Sequence, residues 1–309
     1  MKASSKCNGA ATIITAFATG RGGAYGIGLE NRTTVEFDDS NSVRSIVNGE
    51  ESVGVELAEA AVKRALARFN VDFTGANVVT ETDIPVAAGL KSSSVAANAI
   101  VLATVGVIAK ERGDVCRKRL SKTRDEQEII IDGKAISPIE IINIGVDAAF
   151  DAKVTVTGAL DDASASYLGG YTLTENDKRR VVYHGGMEET LNVLIHLPER
   201  KIHTGGIKTE QVRGFAKEID MLWENARSGR IYQAITLNGL IHSTAFRLNP
   251  EPTLLALETG AIAAGLSGTG PATVALVRED SGALKDSWKG LGGRVIETRT
   301  NNARAEIIG

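Results

Sequence analysis

The chain has 309 residues, of which 43% are hydrophobic and 24% charged, a composition typical of a globular protein and not of a disordered one. Its 35 Lys and Arg residues against 38 Asp and Glu give a formal net charge of −3, so no global positive field is available to hold nucleic acid. The two cysteines are too few for a disulfide framework or a four-thiolate zinc site. The longest apolar run, Val95 to Ala109, falls short of a spanning helix, and the N-terminus lacks the pattern of a signal peptide. We therefore expect a soluble cytoplasmic protein with neither a nucleic-acid nor a membrane partner.

The first half of the chain alternates predicted strands with predicted helices. Strands are predicted at Ala10 to Ala18, Thr33 to Phe37 and Val71 to Thr82. Apolar residues recurring every three to four positions predict a helix from Ser52 to Phe69, and a mostly apolar helix follows from about Val95. A third helix is expected after Ser137, because Pro138 and Glu140 follow it with the spacing of a capping box. The charged stretch from Lys110 to Glu128 is interpreted as a solvated connection between helices, with anion binding by its basic cluster, Arg117 to Lys122, as the alternative.

The second half combines short strands with long helices. A hairpin is expected at Tyr171 to Thr174 and Val181 to Tyr183, with Asn176 and Asp177 in its turn. Further strands are predicted at Val193 to Leu197, Thr273 to Val277 and Arg294 to Thr298. Helices are predicted at about Thr209 to Ser228, Ile231 to Phe246 and Pro252 to Ala264. The change of pattern predicts two domains, residues 1–155 and 156–309.

The loop around Gly89 carries the clearest chemical signal. It runs from a predicted strand end at Pro85 through Gly89 and Lys91 to three serines that open an apolar helix. A helix N-terminus exposes unpaired N–H groups and the positive end of the peptide dipoles, which attract phosphate. Gly89 lets the backbone come close to a ligand, Lys91 adds positive charge, and the serine hydroxyls suit phosphate or Mg²⁺. The alternative is an ordinary helix capped by serine after a turn.

Several common catalytic patterns are missing from the sequence. No G-x-x-x-x-G-K-[ST] occurs, and neither GIGLEN nor SGTGPA completes G-x-G-x-x-G, which disfavours a P-loop protein and a Rossmann dehydrogenase. The four histidines are scattered without metal-ligand spacing, and there is no H-E-x-x-H or G-x-S-x-G. A zinc hydrolase and a serine hydrolase are both disfavoured.

Three segments in order resemble those of the GHMP small-molecule kinases. P-x-x-x-G-L-x-S-S at Pro85 to Ser93 resembles the ATP-binding motif of that superfamily. LDDASASYLGG, at Leu160 to Gly170, is similar to its central Asp-containing segment, and LSGTGPATVAL, at Leu266 to Leu276, to its C-terminal glycine motif. GLKSSSVAANA, DDASASYLGG and ATGRGGAYGI together look most like the shikimate kinases found in archaea. The resemblance implies an α+β, two-domain GHMP-kinase-like fold with a ferredoxin-like C-terminal domain.

The resemblance also implies which residues bind ATP and Mg²⁺. The first and third motifs would bind the nucleotide through Pro85, Ala88, Gly89, Leu90, Lys91, Ser92, Ser93, Ser94, Gly268 and Gly270. Asp162 lies seven residues before Gly169, in the place of the superfamily's catalytic aspartate, so it is the expected base or orienting group, with Asp161 as the second choice. Relatives often place a magnesium ligand where Asp151 stands, which suggests Ser93 and Asp151 for Mg²⁺.

The implied reaction is transfer of phosphate from ATP to shikimate, a small acid with several hydroxyls. Arginine binds a carboxylate through two parallel hydrogen bonds. Arg247 resembles the carboxylate-binding arginine of homoserine kinase, and Arg21 in the Gly-rich segment is a second candidate. The alternatives are another GHMP kinase, such as a homoserine kinase, and a non-catalytic nucleotide or metabolite sensor on the same scaffold.

Overall fold

The fold is mixed α and β, in a computed structural model that describes residues 1–114, 116–120, 125–155, 157–187, 191–199, 209–279 and 281–309. In chain order the strands are β1 (Lys2–Ile14), β2 (Arg21–Phe37), β3 (Val43–Val47), β4 (Glu50–Glu51), β5 (Ala76–Thr82), β6 (Cys116–Leu120), β7 (Asp125–Ile131), β8 (Lys134–Ile136), β9 (Tyr171–Glu175), β10 (Arg180–Gly185), β11 (Asn192–Leu197), β12 (Ala263–Leu266), β13 (Thr273–Val277), β14 (Arg294–Arg299) and β15 (Glu306–Ile307). The helices are α1 (Val55–Arg68), α2 (Ser92–Glu111), α3 (Pro138–Asp151), α4 (Leu160–Leu168), α5 (Ala216–Arg227), α6 (Ile231–Ala245), α7 (Glu251–Glu258) and α8 (Gly282–Lys289).

An eight-stranded sheet forms around the long strand β2. Its order is β10-β9-β2-β5-β3-β4, and β1 pairs with both β2 and β15. The start of β2 pairs with β9 from Arg21 to Tyr25, and its end pairs with β5 from Asn31 to Phe37. This strand of 17 residues therefore joins the N-terminal part of the sheet to the hairpin that follows α4.

Helices α1 to α4 cover this sheet, with α2 in the centre. Most residues of α2 are buried, and small side chains let it approach β1, since a Cβ on Gly106 would lie 3.0 Å from Ala3. The helix is long and apolar enough to cross a membrane, but 78% of its most apolar window is buried, as in the core helix of a globular fold. Buried Asn98 ties α2 to α4 by donating to Ala163 O and Ser166 Oγ, each at 2.8 Å. The helices that carry the serines and the acidic pair are thus fixed to each other.

A second sheet follows β10 along the chain. Its order is β12-β13-β11-β14, entirely antiparallel, and α5, α6 and α7 connect β11 to β12 while α8 connects β13 to β14. This β-α-β-β-α-β order is that of a ferredoxin-like unit with several helices in its first connection. Helix α6 lies close on β12, where a Cβ on Gly239 would lie 2.4 Å from Gly265 Cα. The sheet pairing favours a division between β10 and β11, further along the chain than residue 155.

The charged stretch after α2 was predicted as a connection between helices, and the structure corrects this. Within it, β6 pairs antiparallel with β7, which continues to β8. In β7, Ile129 and Ile131 are buried while Ile130 between them is half-buried, which is the two-residue period of a strand. The basic cluster Arg117 to Lys122 falls on side chains outside the described part of the chain.

Local signals located several elements to within a few residues, whereas β1 and β2 begin well before the predicted starts at Ala10 and Thr33. Ser137 caps α3 by accepting a 3.2 Å hydrogen bond from Glu140 N, with Pro138 in the first helical position. The hairpin of β9 and β10 turns at Asn176, as predicted. The helix predicted from Pro252 to Ala264 is shorter, because α7 ends at Glu258 and Ala263 already belongs to β12.

Candidate active site

A cavity of about 580 Å³ opens between the two sheets. Five segments line it: the loop and first turn of α2, the end of α3 with its connection to α4, the start of α4, the glycine loop between β12 and β13, and the loop after β1. Volumes of this size are usual for small-molecule sites. Three of these segments are the three motifs singled out in the sequence, so the fold brings residues that lie up to about 180 positions apart to one cavity.

The first turn of α2 faces the cavity with unpaired backbone donors. Lys91 occupies the N-cap position in a left-handed conformation (φ 67°), and no side chain caps the helix. The first helical hydrogen bond runs from Val95 N to Lys91 O, so the N–H groups of Ser92, Ser93 and Ser94 have no acceptor within the helix. The serine-capped helix considered as the alternative is therefore not what forms. The arrangement suits an anion at the helix N-terminus.

The C-terminal glycine loop is built directly onto this first loop. Ser267 Oγ donates to Gly89 O at 2.7 Å, and Ala272 N donates to Ala88 O at 3.2 Å. Gly89 has φ +80°, and a Cβ there would lie 2.0 Å from Ser267 O. A Cβ on Gly268 would lie 3.1 Å from Lys91 Nζ. Only glycine at these positions permits both the close approach and the turn.

Not every residue of the first motif reaches the cavity. Gly89, Lys91 and the three serines line it, as does Gly268. Ala88 and Leu90 are buried in the core beneath the loop, and Pro85 is half-buried. Gly270 packs against Leu248 and Leu266, where it shapes the turn of the second loop. These residues support the loop through packing.

Two adjacent aspartates from the first turn of α4 lie in the opposite wall. Asp162 forms an ion pair with Lys91, whose Nζ lies 2.9 Å from Asp162 Oδ1, although the angles are not those of a hydrogen bond. Burial and the neighbouring Asp161 carboxylate raise the pKa of Asp162 to about 7, against the opposing effect of Lys91. A carboxylate with a pKa near neutrality, beside an anion-binding helix end, is suited to accept a proton.

Asp161 is held on both sides. Its Oδ1 accepts a 2.8 Å hydrogen bond from Asn176 Nδ2, and a Cβ on Gly22 would lie 2.5 Å from its Oδ2. It is 4% exposed, and it lines the same cavity as Asp162. The structure thus brings together both candidate acids, the serines and Lys91.

Two arginines were predicted to bind a substrate carboxylate, and neither lines the cavity in the described part of the chain. Arg21 lies 3.3 Å from both Asp220 and Glu224, 3.8 Å from Glu175, and its guanidinium stacks on Trp223. Its charge is already balanced by these carboxylates. Arg247 is exposed at the end of α6, one residue before Leu248, which packs near Gly270.

Asp151 does not line the cavity, so the prediction that it binds magnesium is corrected. It ends α3 on the outer surface, where both its carboxylate oxygens accept from Arg64, at 2.5 and 2.8 Å. This pairing lowers the pKa of Asp151. The spacing of eleven residues before Asp162 suggested this role, but α3 presents Asp151 to Arg64 of α1.

The residues present fit a nucleotide and one magnesium ion. The helix N–H groups and Lys91 supply the donors that phosphate needs, and Gly89 leaves the space that a Cβ would fill. Among the described residues, no cluster of three or more His, Cys, Asp or Glu side chains could enclose a metal. Mg²⁺ bound to a nucleotide usually keeps phosphate and water ligands and takes only one or two from the protein. Of the two predicted magnesium ligands, Ser93 is the one that lines the cavity.

Sequence reasoning missed three residues that support this site. Asn176 was assigned only to a turn, yet its side chain binds Asp161. Trp223 Nε1 donates to Gly22 O at 3.0 Å, which holds the glycine segment against Asp161. Thr12 Oγ1 accepts from Gly268 N at 2.8 Å. No local pattern marks them, because each acts on a residue more than ten positions away.

Solved structures of GHMP kinases have the same fold. Mevalonate kinase from Methanococcus jannaschii superposes with a TM-score of 0.70 at 15% identity, covering 97% of each chain. Homoserine kinase from Cytophaga hutchinsonii gives a TM-score of 0.72 at 15% identity, covering 99% of this chain and 97% of its own. The family described as the GHMP kinases N terminal domain matches residues 56–117, which include the serine-bearing turn. The fold and the site define the chain as a kinase of the GHMP class.

Relatives over the full length narrow this class. Proteins named shikimate kinase from Methanothermobacter thermautotrophicus and Methanothrix thermoacetophila are each 40% identical to the chain, over 97% of it and over 96% and 94% of their own lengths. One from Pyrococcus furiosus is 33% identical over 96% of this chain and 98% of its own. The chain belongs to this archaeal shikimate kinase family within the GHMP kinases.

Proposed function

We propose that the protein is a shikimate kinase that transfers the γ-phosphoryl group of ATP to the 3-hydroxyl of shikimate, with Mg²⁺, in the cytoplasm. The observation that carries this proposal is the buried Asp162 carboxylate beside the serine-bearing N-terminus of α2, with Lys91 between them. Full-length relatives named shikimate kinase support the choice of acceptor. The product would be a phosphate ester needed to build aromatic compounds from shikimate.

The first turn of α2 would bind the phosphates of ATP. The N–H groups of Ser92, Ser93 and Ser94 form the positive end of the helix, which would face the phosphates. Lys91 adds a full positive charge. Ser93 would contribute an oxygen ligand to Mg²⁺, whose other ligands would be phosphate oxygens and water. When bound, Mg²⁺ neutralises charge on the transferring phosphoryl group.

Asp162 would act on the acceptor hydroxyl. Its ionised carboxylate would accept the hydroxyl proton as the oxygen forms its bond to phosphorus and the bond to the ADP oxygen breaks. Asp161 is fixed by Asn176 and Gly22 and would orient the same hydroxyl, and it is the second choice for the base. Asparagine substitutions at the two positions separate these roles.

Arg247 would bind the substrate carboxylate, because Arg21 is already surrounded by three acidic side chains. The exposed Arg247 lies at the end of α6, next to the segment that packs against Gly270. Its side chain would have to turn toward the cavity when substrate binds. A paired arrangement of guanidinium and carboxylate would follow.

Two other functions use the same scaffold. Another alcohol, such as homoserine or mevalonate, would be the acceptor if the substrate pocket differs from that of the archaeal relatives. A non-catalytic nucleotide sensor would bind ATP without turnover. The aspartates and serines gathered at one cavity favour an enzyme, since a sensor has no need for a proton acceptor near the phosphate site.

A coupled assay of ADP release tests the proposal. The purified protein receives ATP and Mg²⁺ with shikimate, homoserine or mevalonate, each in a separate reaction, and the phosphorylated product is identified by mass spectrometry. We expect turnover with shikimate alone. Turnover with homoserine or mevalonate only would show that the acceptor is not shikimate. Binding of ATP without turnover of any acceptor would favour the sensor.

A further inference from the structure

Asn176 lies in the turn after β9, where its side chain is buried and bonded at both ends. It is 4% exposed, and Thr174 Oγ1 lies 2.7 Å from Asn176 Oδ1 while Asn176 Nδ2 lies 2.8 Å from Asp161 Oδ1. An ionised carboxylate only accepts hydrogen bonds, so the amide nitrogen must face Asp161 and the amide oxygen must face the Thr174 hydroxyl. The threonine, itself fully buried, donates to the amide oxygen and holds the amide in this orientation.

The backbone of the same turn holds the other flank of Asp161. Asn176 N donates to Gly20 O at 2.8 Å, which ties the turn to the segment that carries Gly22. Trp223 Nε1 donates to Gly22 O at 3.0 Å from the side of α5. Since a Cβ on Gly22 would lie 2.5 Å from Asp161 Oδ2, this segment closes the space on that side of the carboxylate.

We propose that Thr174 and Asn176 are positioning residues, which hold the Asp161 carboxylate at a fixed place beside Asp162 in the cavity. The proposal rests on the proposed function, because it assigns the pair a part in the same phosphoryl transfer. Neither residue lines the cavity among the described residues, so each acts through Asp161. A fixed Asp161 sets the field at its neighbour, and the Asp161 carboxylate is one of the two causes that raise the pKa of Asp162.

Asn176→Asp is the most informative variant, because it replaces the amide donor by a carboxylate of nearly the same shape. A third negative charge next to Asp161 disfavours full ionisation of the acidic pair. We expect the acid limb of kcat/KM against pH to move upward by about one pH unit. At pH 7 we expect kcat to fall about tenfold in Asn176→Ala, because a misplaced group costs rate through lost orientation.

Thr174 provides a second test that changes no charge. Thr174→Val keeps the shape and removes the hydroxyl, so the Asn176 amide can rotate, and we expect kcat to fall while the KM for ATP stays unchanged. Thr174→Ser keeps the hydroxyl and should have the wild-type kcat.

Asn70→Asp, at an exposed turn after α1, is the matched control for the charge added in Asn176→Asp. It should leave the pH profile of kcat/KM unchanged.

A purely structural role would lower the melting temperature of these variants without moving the pH profile, and that result would overturn the proposal. An unchanged profile and kcat in Asn176→Asp would do the same. If Asn176→Asp does not fold, Thr174→Val and its serine rescue decide the question, and a Thr174→Val enzyme with wild-type kcat overturns the proposal.

A measurement without substrate separates this proposal from the proposed function. Carboxyl ¹³C NMR of aspartate-labelled protein, with signals assigned by Asp161→Asn and Asp162→Asn, follows the titration of the pair directly. We expect its midpoints to lie higher in Asn176→Asp than in the wild type, whichever acceptor the enzyme uses. Identical titrations would overturn the positioning role even if shikimate is the substrate. Shifted titrations without shikimate turnover would overturn only the proposed function.

Discussion

Burial and two charged neighbours decide the charge of Asp162. Burial disfavours its ionised form, the adjacent Asp161 carboxylate adds to this effect, and Lys91 opposes both. The side chains of Asp162 and Lys91 are 15% and 8% exposed, so little water screens them. The outcome is a carboxyl group with a pKa of about 7, which can change its charge near neutral pH.

This environment predicts the pH dependence of the wild type and of Asp162→Asn. Only the ionised carboxylate can accept a proton, so kcat/KM should rise with pH through about 7 in the wild type. Asp162→Asn should lose this limb and reduce kcat by on the order of 10² or more while ATP affinity stays nearly intact. Asp151→Asn, another helix-bound aspartate paired with a cation but outside the cavity, is the control.

Comparison of Asp162→Asn with Asp161→Asn decides which aspartate is the base. If Asp162→Asn keeps wild-type turnover and Asp161→Asn does not, the base is Asp161. The pH–rate profile and ATP affinity by calorimetry are measured on all three variants.

Arg247 is tested by its effect on one Michaelis constant. Loss of a bidentate guanidinium should raise the KM for shikimate by about tenfold or more in Arg247→Ala and leave the KM for ATP unchanged. Arg230→Ala is the matched control, because Arg230 is also exposed but precedes the opposite end of α6. An unchanged KM for shikimate would remove Arg247 from the substrate site.

At the scale of elements, the start of α2 depends on contact between two loops. Ser267 and Ala272 bond to the backbone of the first loop at Gly89 and Ala88. Since β13 begins at Thr273, the second sheet supports the backbone that presents the serine N–H groups. The anion site is therefore a property of both sheets, and the helix end by itself does not complete it.

Gly89→Ala tests this contact. A Cβ would lie 2.0 Å from Ser267 O, so the loops must separate, and we expect the affinity for ATP to fall by at least tenfold. Gly49→Ala is the matched control, because Gly49 has φ +82° against +80° at Gly89 but no atom within 4 Å of the added Cβ. It carries the same backbone strain, of about 1–2 kcal/mol, without the contact.

The measurement is ATP binding by calorimetry, with the free energy of unfolding from urea titration of each variant. We expect a larger loss of stability in Gly89→Ala than in Gly49→Ala, with a loss of ATP affinity in Gly89→Ala alone. Equal ATP affinity in both would show that the loop contact does not shape the nucleotide site.

At the scale of the whole molecule, one hydrophobic core joins both sheets. It includes Ile13 and Tyr25 from the first sheet, and Val193, Ile195 and Leu266 from the second. Trp223 belongs to this shared core, whereas Trp288 lies in a smaller cluster beneath α8. Apolar contact across the boundary makes independent unfolding of either sheet costly.

The shared core predicts a single cooperative unfolding transition. Trp223→Phe leaves Trp288 as the fluorescent reporter, and Trp288→Phe leaves Trp223. In each variant we expect urea transitions followed by tryptophan fluorescence and by far-UV circular dichroism to coincide. Comparing two probes within one variant removes the effect of the substitution on stability. Separate midpoints in either variant would indicate two units that unfold independently.

The sequence by itself determined the local features of this protein. The period of α1, the cap at Ser137 and the hairpin turn at Asn176 were predictable because each depends on residues within one turn or hairpin. The three motifs and their order also indicated the family, and family and fold agree with that reading. These signals depend on residues close together in the sequence, so they can be recognised without the tertiary structure.

Only the tertiary structure decided which residues meet. Asp151 and Arg21 have the chemistry of ligands, but α1 and α5 supply partners that neutralise them at the surface. Asn176 and Asp161 stand fifteen residues apart, and Ser267 and Gly89 stand 178 apart, yet they share hydrogen bonds. Such contacts depend on how the two sheets pack, and packing of distant segments leaves no periodic or local trace in the sequence.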